Sequence, residues 1–257
     1  MSTSYFSQQD HQILTSLPTR DAQQVYDKLS ELHRTIYRRM RDHNYDLHPH
    51  WNKTLQIANR SATCSGEIPG LTMPYLRSRE QGILVERLMG RDGSDASGDA
   101  YRHPVIEIRI TPDNFVVELV ASPLSWWDQR NLIGKLSVAR HRETLRGIIQ
   151  HIDGDYRFGF FDGVHLSDMH LTSRQLLRGN ILDEWMSTFA DGQDWLRIGA
   201  WYEPDDPALA DDRILSEVVG RVVALEKLYT FMLWTSNNNF QTFYRKASSF
   251  GGRDARI

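Results

Sequence analysis

The sequence predicts an α+β fold: a mainly antiparallel sheet built on a central hairpin over about residues 105–121, covered on one face by several helices. Three observations carry this expectation. Apolar residues alternate from Val105 to Ile110 and again from Phe115 to Ala121, in runs rich in the β-branched and aromatic side chains that suit a pleated strand. Between them stands Thr111-Pro112-Asp113-Asn114, where the proline ring presets its own φ and the Asp and Asn tolerate turn geometry, so the two strands form a hairpin. Elsewhere the apolar residues recur every three or four positions, which is the helical period.

If Ile110 pairs with Phe115, the register sets Ile108 against Val117, Ile106 against Leu119 and Glu107 against Glu118. One face of the ribbon is then apolar and belongs in a core. The other carries Val105, Glu107, Arg109, Val116 and Glu118. Two carboxylates directly opposite on a sheet repel unless a cation or a proton lies between them. Arg109, on the same face, is the natural partner, and an ion cluster on an open sheet surface is the plain expectation. The sharper one is a catalytic site of Glu107, Glu118 and Arg109, because paired carboxylates hold hard cations or share protons.

In chain order, residues 1–18 predict a short helix ended by Pro18. Val25, Leu29, Leu32, Ile36 and Met40 then line one side of a helix over 21–43. Pro49 makes residues 45–51 extended. Residues 53–74 are broken by Gly66, Pro69, Gly70 and Pro74 and hold at most an edge strand near 55–59. A helix over 77–89 follows, with Ser78 as its cap and Ile83, Leu84 and Leu88 inward, and then a linker-like loop over 91–100. Beyond the hairpin, residues 125–133 set two tryptophans in polar company. A helix over 139–152 buries Leu145, Ile148, Ile149 and Ile152, and 156–161 is a third strand. Residues 172–190 are a helix interrupted at Gly179-Asn180, and 195–203 a fourth strand with Leu196, Ile198 and Ala200 on one side and Arg197, Gly199 and Trp201 on the other. The longest helix carries Ile214, Val218, Val222, Leu225, Tyr229 and Met232 as its stripe, in an apolar arc wide enough to pack against a sheet and a further helix or subunit. Residues 1–247 are expected to form one domain and 248–257 a mobile tail.

The chain has 257 residues, 40% of them apolar, with a formal net charge of −3, as in ordinary soluble domains. It shows neither a long apolar run nor a signal-like N-terminus, so a cytoplasmic location is expected. Cys64 is the single cysteine, which rules out a disulfide framework or a thiolate zinc cluster built from this chain. Nucleotide-binding glycine loops, serine-hydrolase elbows and kinase signatures are missing.

The 30 basic residues are overwhelmingly Arg, the better fork for phosphate and carboxylate. This bias fits an anionic partner, nucleic acid or a phosphorylated ligand, and a GC-rich genome would also produce it. Arg38 and Arg39, next to Tyr37, could grip phosphates, although cations also suit the C-terminal end of a helix. Trp126 and Trp127 with Arg130 could stack a planar ligand, or simply close the end of the sheet. For a divalent metal the candidate ligands are His48 and His50, an HxH pair on one side of an extended segment, and His165, Asp168 and His170 in one loop. The leading expectation is a binding or regulatory protein for an anionic partner. The alternatives are a metal-dependent hydrolase or nuclease using the hairpin acids and these histidines, and a structural subunit of a homo-oligomer or larger assembly.

Overall fold

The computed structural model describes residues 4–16, 20–49, 70–91, 100–160 and 170–240. Its centre is a seven-stranded antiparallel sheet in the order β1-β2-β3-β4-β7-β5-β6, with β1 His48–Pro49, β2 Leu71–Leu76, β3 Val105–Ile110, β4 Phe115–Ala121, β5 Arg157–Phe160, β6 Leu171–Thr172 and β7 Leu196–Tyr202. The described helices are α1 Gln8–Ile13, α2 Gln23–Asp42, α3 Arg79–Leu88, α4 Trp126–Leu136, α5 Ala139–Gln150, α6 Ser173–Leu176, α7 Ile181–Ser187 and α8 Ile214–Met232. The fold is therefore α+β with a helix-covered antiparallel sheet, as the residue periodicity predicts.

The hairpin has the expected register, with Ile110 opposite Phe115, Ile108 opposite Val117, Ile106 opposite Leu119 and Glu107 opposite Glu118. Thr111 closes the turn, its N–H donating to the Asn114 carbonyl at 2.8 Å while its hydroxyl accepts from Asn114 N at 3.0 Å. The apolar side of the ribbon joins one large core. Helix α8 lies across β3, β4 and β7, and α2, α4 and α5 pack against α8. This explains the wide apolar arc of α8, which faces the sheet on one side and three helices on the others. The stripe of α2, Val25 through Met40, is buried as expected.

Two local expectations need correction, and one further segment gains an element. Residues 71–76 form β2, a fully buried strand paired with β3, although Pro74 lies within it. Pro74 stands opposite Glu107 in that pairing, an unusual place for a residue without a backbone N–H. Helix α3 is capped by Ser78 as expected but turned differently: Gly82, Val85 and Glu86 face inward, and Leu88 is 43% exposed. Glu86 determines that rotation, since its buried carboxylate lies within 3.5–3.7 Å of Arg91, Arg102 and His103. Finally, residues 126–136 form α4, whose buried side is largely polar: Asp128, Gln129, Asn131 and Lys135.

The polar side of α4 serves the C-terminal end of α8. A helix end leaves carbonyls without intrahelical donors, and here Asn131 Nδ2 donates to the carbonyls of Met232 at 3.0 Å and Leu233 at 3.1 Å, while Lys135 Nζ reaches that of Phe231. Burial lowers the Lys135 ammonium to about 8. Asp128 accepts from Trp234 N at 2.7 Å and pairs with the buried Arg77.

Gly199 of β7 stands opposite Glu118 of β4. A Cβ there would meet the Val117 carbonyl oxygen at 2.6 Å and press on Glu118 Cβ. Gly147 of α5, by contrast, has nothing within 4 Å of its notional Cβ. Gly199→Ala is expected to destabilise the protein by about 1–3 kcal/mol through overpacking, whereas Gly147→Ala should stabilise it by up to ~1 kcal/mol through helix propensity. Urea denaturation of the two variants side by side measures both effects.

Candidate functional site

The second face of the sheet is expected to be open, but at its centre it is closed. Leu76, Ala100, Val105 and Val120 form a small second core with Tyr101 and Trp195, and the charged residues beside it are buried as well. Glu107 and Glu118 are 0% exposed, Arg197 3% and Arg109 7%. Strand alternation places them together: Glu107 and Arg109 are two apart on β3, Glu118 is opposite Glu107 on β4, and Arg197 is opposite Val120 on β7, one row from Glu118.

The two acids fare differently. Glu118 is clamped by three charge-assisted bonds: Arg197 Nε donates to Oε2 at 2.9 Å, Arg197 Nη2 donates to Oε1, and Arg109 Nη2 donates to Oε1 at 2.8 Å. Burial works against its charge, yet Arg197 and Arg109 outweigh it and hold the carboxyl below its ordinary range. Glu107 has thinner company. Tyr101 donates to its Oε2 at 2.5 Å and Thr72 at 3.3 Å, while Arg109 Nε stands 3.3 Å from Oε1. Burial, followed by the charge on Glu118, raises Glu107 to about 7, against the pull of Arg109 and the Tyr101 hydrogen bond. The hairpin acids, Arg109, Arg197, Tyr101 and Thr72 thus form one network in which Glu118 carries the charge and Glu107 holds a proton near neutrality.

A hard cation between the hairpin acids would need the space that Arg109 and Arg197 fill. The two described candidate metal ligands lie far apart. His48 is on β1 and His170 immediately precedes β6, so the two occupy opposite ends of the seven-stranded order, roughly 25–30 Å apart at the usual strand spacing. His48 Nε2 is bonded to Asp46 at 2.9 Å. His50, His165 and Asp168, like Cys64 and the tail 248–257, lie outside the described residues. Among the described residues no group of three His, Cys, Asp or Glu could hold a metal ion.

The predicted ligand-binding residues separate into two places. Trp126 and Trp127, at the start of α4, meet edge to face at 5.3 Å between ring centroids, and Trp127 leans on Trp234 at 6.3 Å, so part of their ring surface is spent on one another. Arg130 is exposed and stands 3.8 Å from Asp191. Arg38 and Arg39 are on α2 and exposed, as are Arg34 and Arg41. Among the described residues none of these four α2 arginines has a carboxylate within 4.0 Å. Arg34, Arg38 and Arg41 follow one another at four and three residues and so share a stripe. Beside the stripe, the ring of Tyr37 stacks on His33 at 5.4 Å, and His33 stacks on Tyr75 at 5.8 Å.

Residue types alone do not pick out Arg197, Tyr101 and Thr72 as members of the buried network. The available signal is the alternation of residues 195–203, which already sets Arg197 on the polar side of its strand. No protein-family model and no characterised protein matches the chain.

The network makes opposite predictions for its two acids. Glu107 binds its proton more tightly folded than unfolded, so its contribution to stability is fully present below its ordinary value of 4.5 and is lost as the pH rises through about 7. Across that window the loss amounts to about 3 kcal/mol at most, and Glu107→Gln should flatten it. Glu118→Gln should instead cost about 3–5 kcal/mol at neutral pH, because it leaves two buried guanidiniums under-compensated. Denaturant titrations of wild type and both variants from pH 5 to pH 8 measure the contrast.

Proposed function

We propose that the protein binds single-stranded nucleic acid through the C-terminal half of α2, with Arg34, Arg38 and Arg41 on successive phosphates, Arg39 flanking them and the Tyr37 ring offered to a base. One observation carries this reading: these arginines face solvent with no carboxylate in ion-pair range among the described residues, whereas the interior arginines are bonded to acids. Arg77 is matched with Asp128, Arg109 and Arg197 with Glu118, and Arg221 with Asp153, Asp155 and Glu217. A basic stripe beside a stacked aromatic column combines the two elements that non-sequence-specific recognition of a single strand uses, phosphate neutralisation and base stacking.

The stripe also lies at the negative end of the α2 dipole, where cations are favoured in any case. What favours a binding role is the number of arginines and their common side, since one cation in the last turn would satisfy the dipole. The hydrolase reading draws on Glu107 and Glu118, whose compensation by guanidinium groups gives it less support.

Fluorescence anisotropy with labelled single-stranded DNA and RNA oligonucleotides tests the proposal. Binding is expected at low salt and should weaken as salt rises, with a log–log slope of about −0.7 for each phosphate contact. The triple variant Arg34→Gln, Arg38→Gln, Arg41→Gln should shift that slope by about 2 units. A protein that binds neither strand type at low salt would overturn the reading.

A further inference from the structure

Helices α4, α5 and α7 line a partly open pocket of about 440 Å³, within the range of small-molecule sites. Its walls are mainly Ile133, Leu136, Leu145, Leu182 and Met186, with Arg142 and Asp183 as its charged groups. The two charges are not equivalent. Asp183 already stands 3.5 Å from the Arg146 guanidinium. Arg142 donates from Nη1 to the Leu136 carbonyl at 2.8 Å and has no carboxylate in ion-pair range among the described residues. A guanidinium carries five N–H donors, so the bond to Leu136 leaves donors on this one for a ligand in the pocket. Behind the pocket, and sharing Leu145, Leu182 and Met186 with it, the packing against Phe158, Trp185 and Leu228 leaves only about 20 Å³, room for a water molecule and not for a hydrocarbon tail.

We infer that this pocket is a binding site for a small carboxylate-headed apolar molecule, its carboxylate on Arg142 and its hydrocarbon tail laid against Ile133, Leu136, Leu145 and Leu182. The apolar walls call for a hydrophobic body, and the unmatched cation calls for an anionic head. Asp183 at the same pocket disfavours a doubly charged phosphate and selects a monoanion. Met186 suits this wall, because an unbranched thioether adjusts its rotamer to a tail at little cost. The site is independent of the α2 stripe and uses none of its residues.

The test is a titration of the full chain with decanoate, decanol and decyl phosphate, followed by calorimetry. Decanoate should bind about tenfold tighter than either of the others, the discrimination expected of one well-formed charged pair. Arg142→Gln should remove that preference while leaving decanol binding unchanged, and Arg142→Lys should restore part of it. Met186→Trp should fill the pocket and weaken all three ligands. If that variant does not fold, Ser187→Phe at the same pocket serves instead. Decanoate and decanol binding equally well, or decanoate binding insensitive to both Arg142→Gln and the filling variant, would overturn the proposal. Replacing Arg34, Arg38 and Arg41 by Gln should leave decanoate affinity unaltered, so failure of the nucleic-acid reading and failure of this one give different results.

Discussion

The structure depends on making two buried acids tolerable at the centre of its sheet. Removing a carboxylate from water is costly unless its charge is met and its lone pairs are bonded. Glu118 meets that requirement with two guanidiniums from two other strands, which ties β3, β4 and β7 together on the side away from α8. Glu107 meets it differently, by holding a proton close to neutrality under Tyr101 and Thr72. Gly199 belongs to the same solution. It stands across from Glu118, and a side chain there would collide with the strand that carries the clamped acid.

Much of this architecture is legible in the sequence. The hairpin register, including the meeting of Glu107 and Glu118, follows from two alternating runs and the turn between them. The stripes of α2 and α8 follow from the helical period. The failures share one cause, a polar or proline residue doing a job that depends on distant chain. Leu88 is assigned inward because it is apolar, yet α3 is oriented by Glu86 and its cations. Residues 126–136 do not resemble a packed helix because the partners of Asp128, Asn131 and Lys135 lie about a hundred residues further on. β2 is hidden by Pro74, a residue that local pattern counts against any paired strand.

The same distinction applies to the candidate sites. Local alternation places Glu107, Arg109 and Glu118 on one face, but whether that face is wet or dry depends on β7 and on the turn at residues 100–102, which local pattern does not reveal. The Arg-rich composition likewise has a structural component beyond partner recognition or genome composition. Arg77, Arg109, Arg197 and Arg221 are each bonded to acids in buried or half-buried settings, where a planar fork loses less on ordering than a lysine stem would.

The inward polar side of α4 also determines what the helix can offer on its other side. With Asp128, Gln129, Asn131 and Lys135 committed to the ends of distant segments, the residues left toward the periphery include Trp126, Trp127, Ile133 and Leu136, all only partly covered. An ordinary amphipathic helix hides its grease and shows its charge, and this one comes close to the reverse. Wettability along that flank is thereby traded for fixing the end of α8, so the half-covered apolar edge of α4 is set by a hydrogen-bonding need in the molecule's interior.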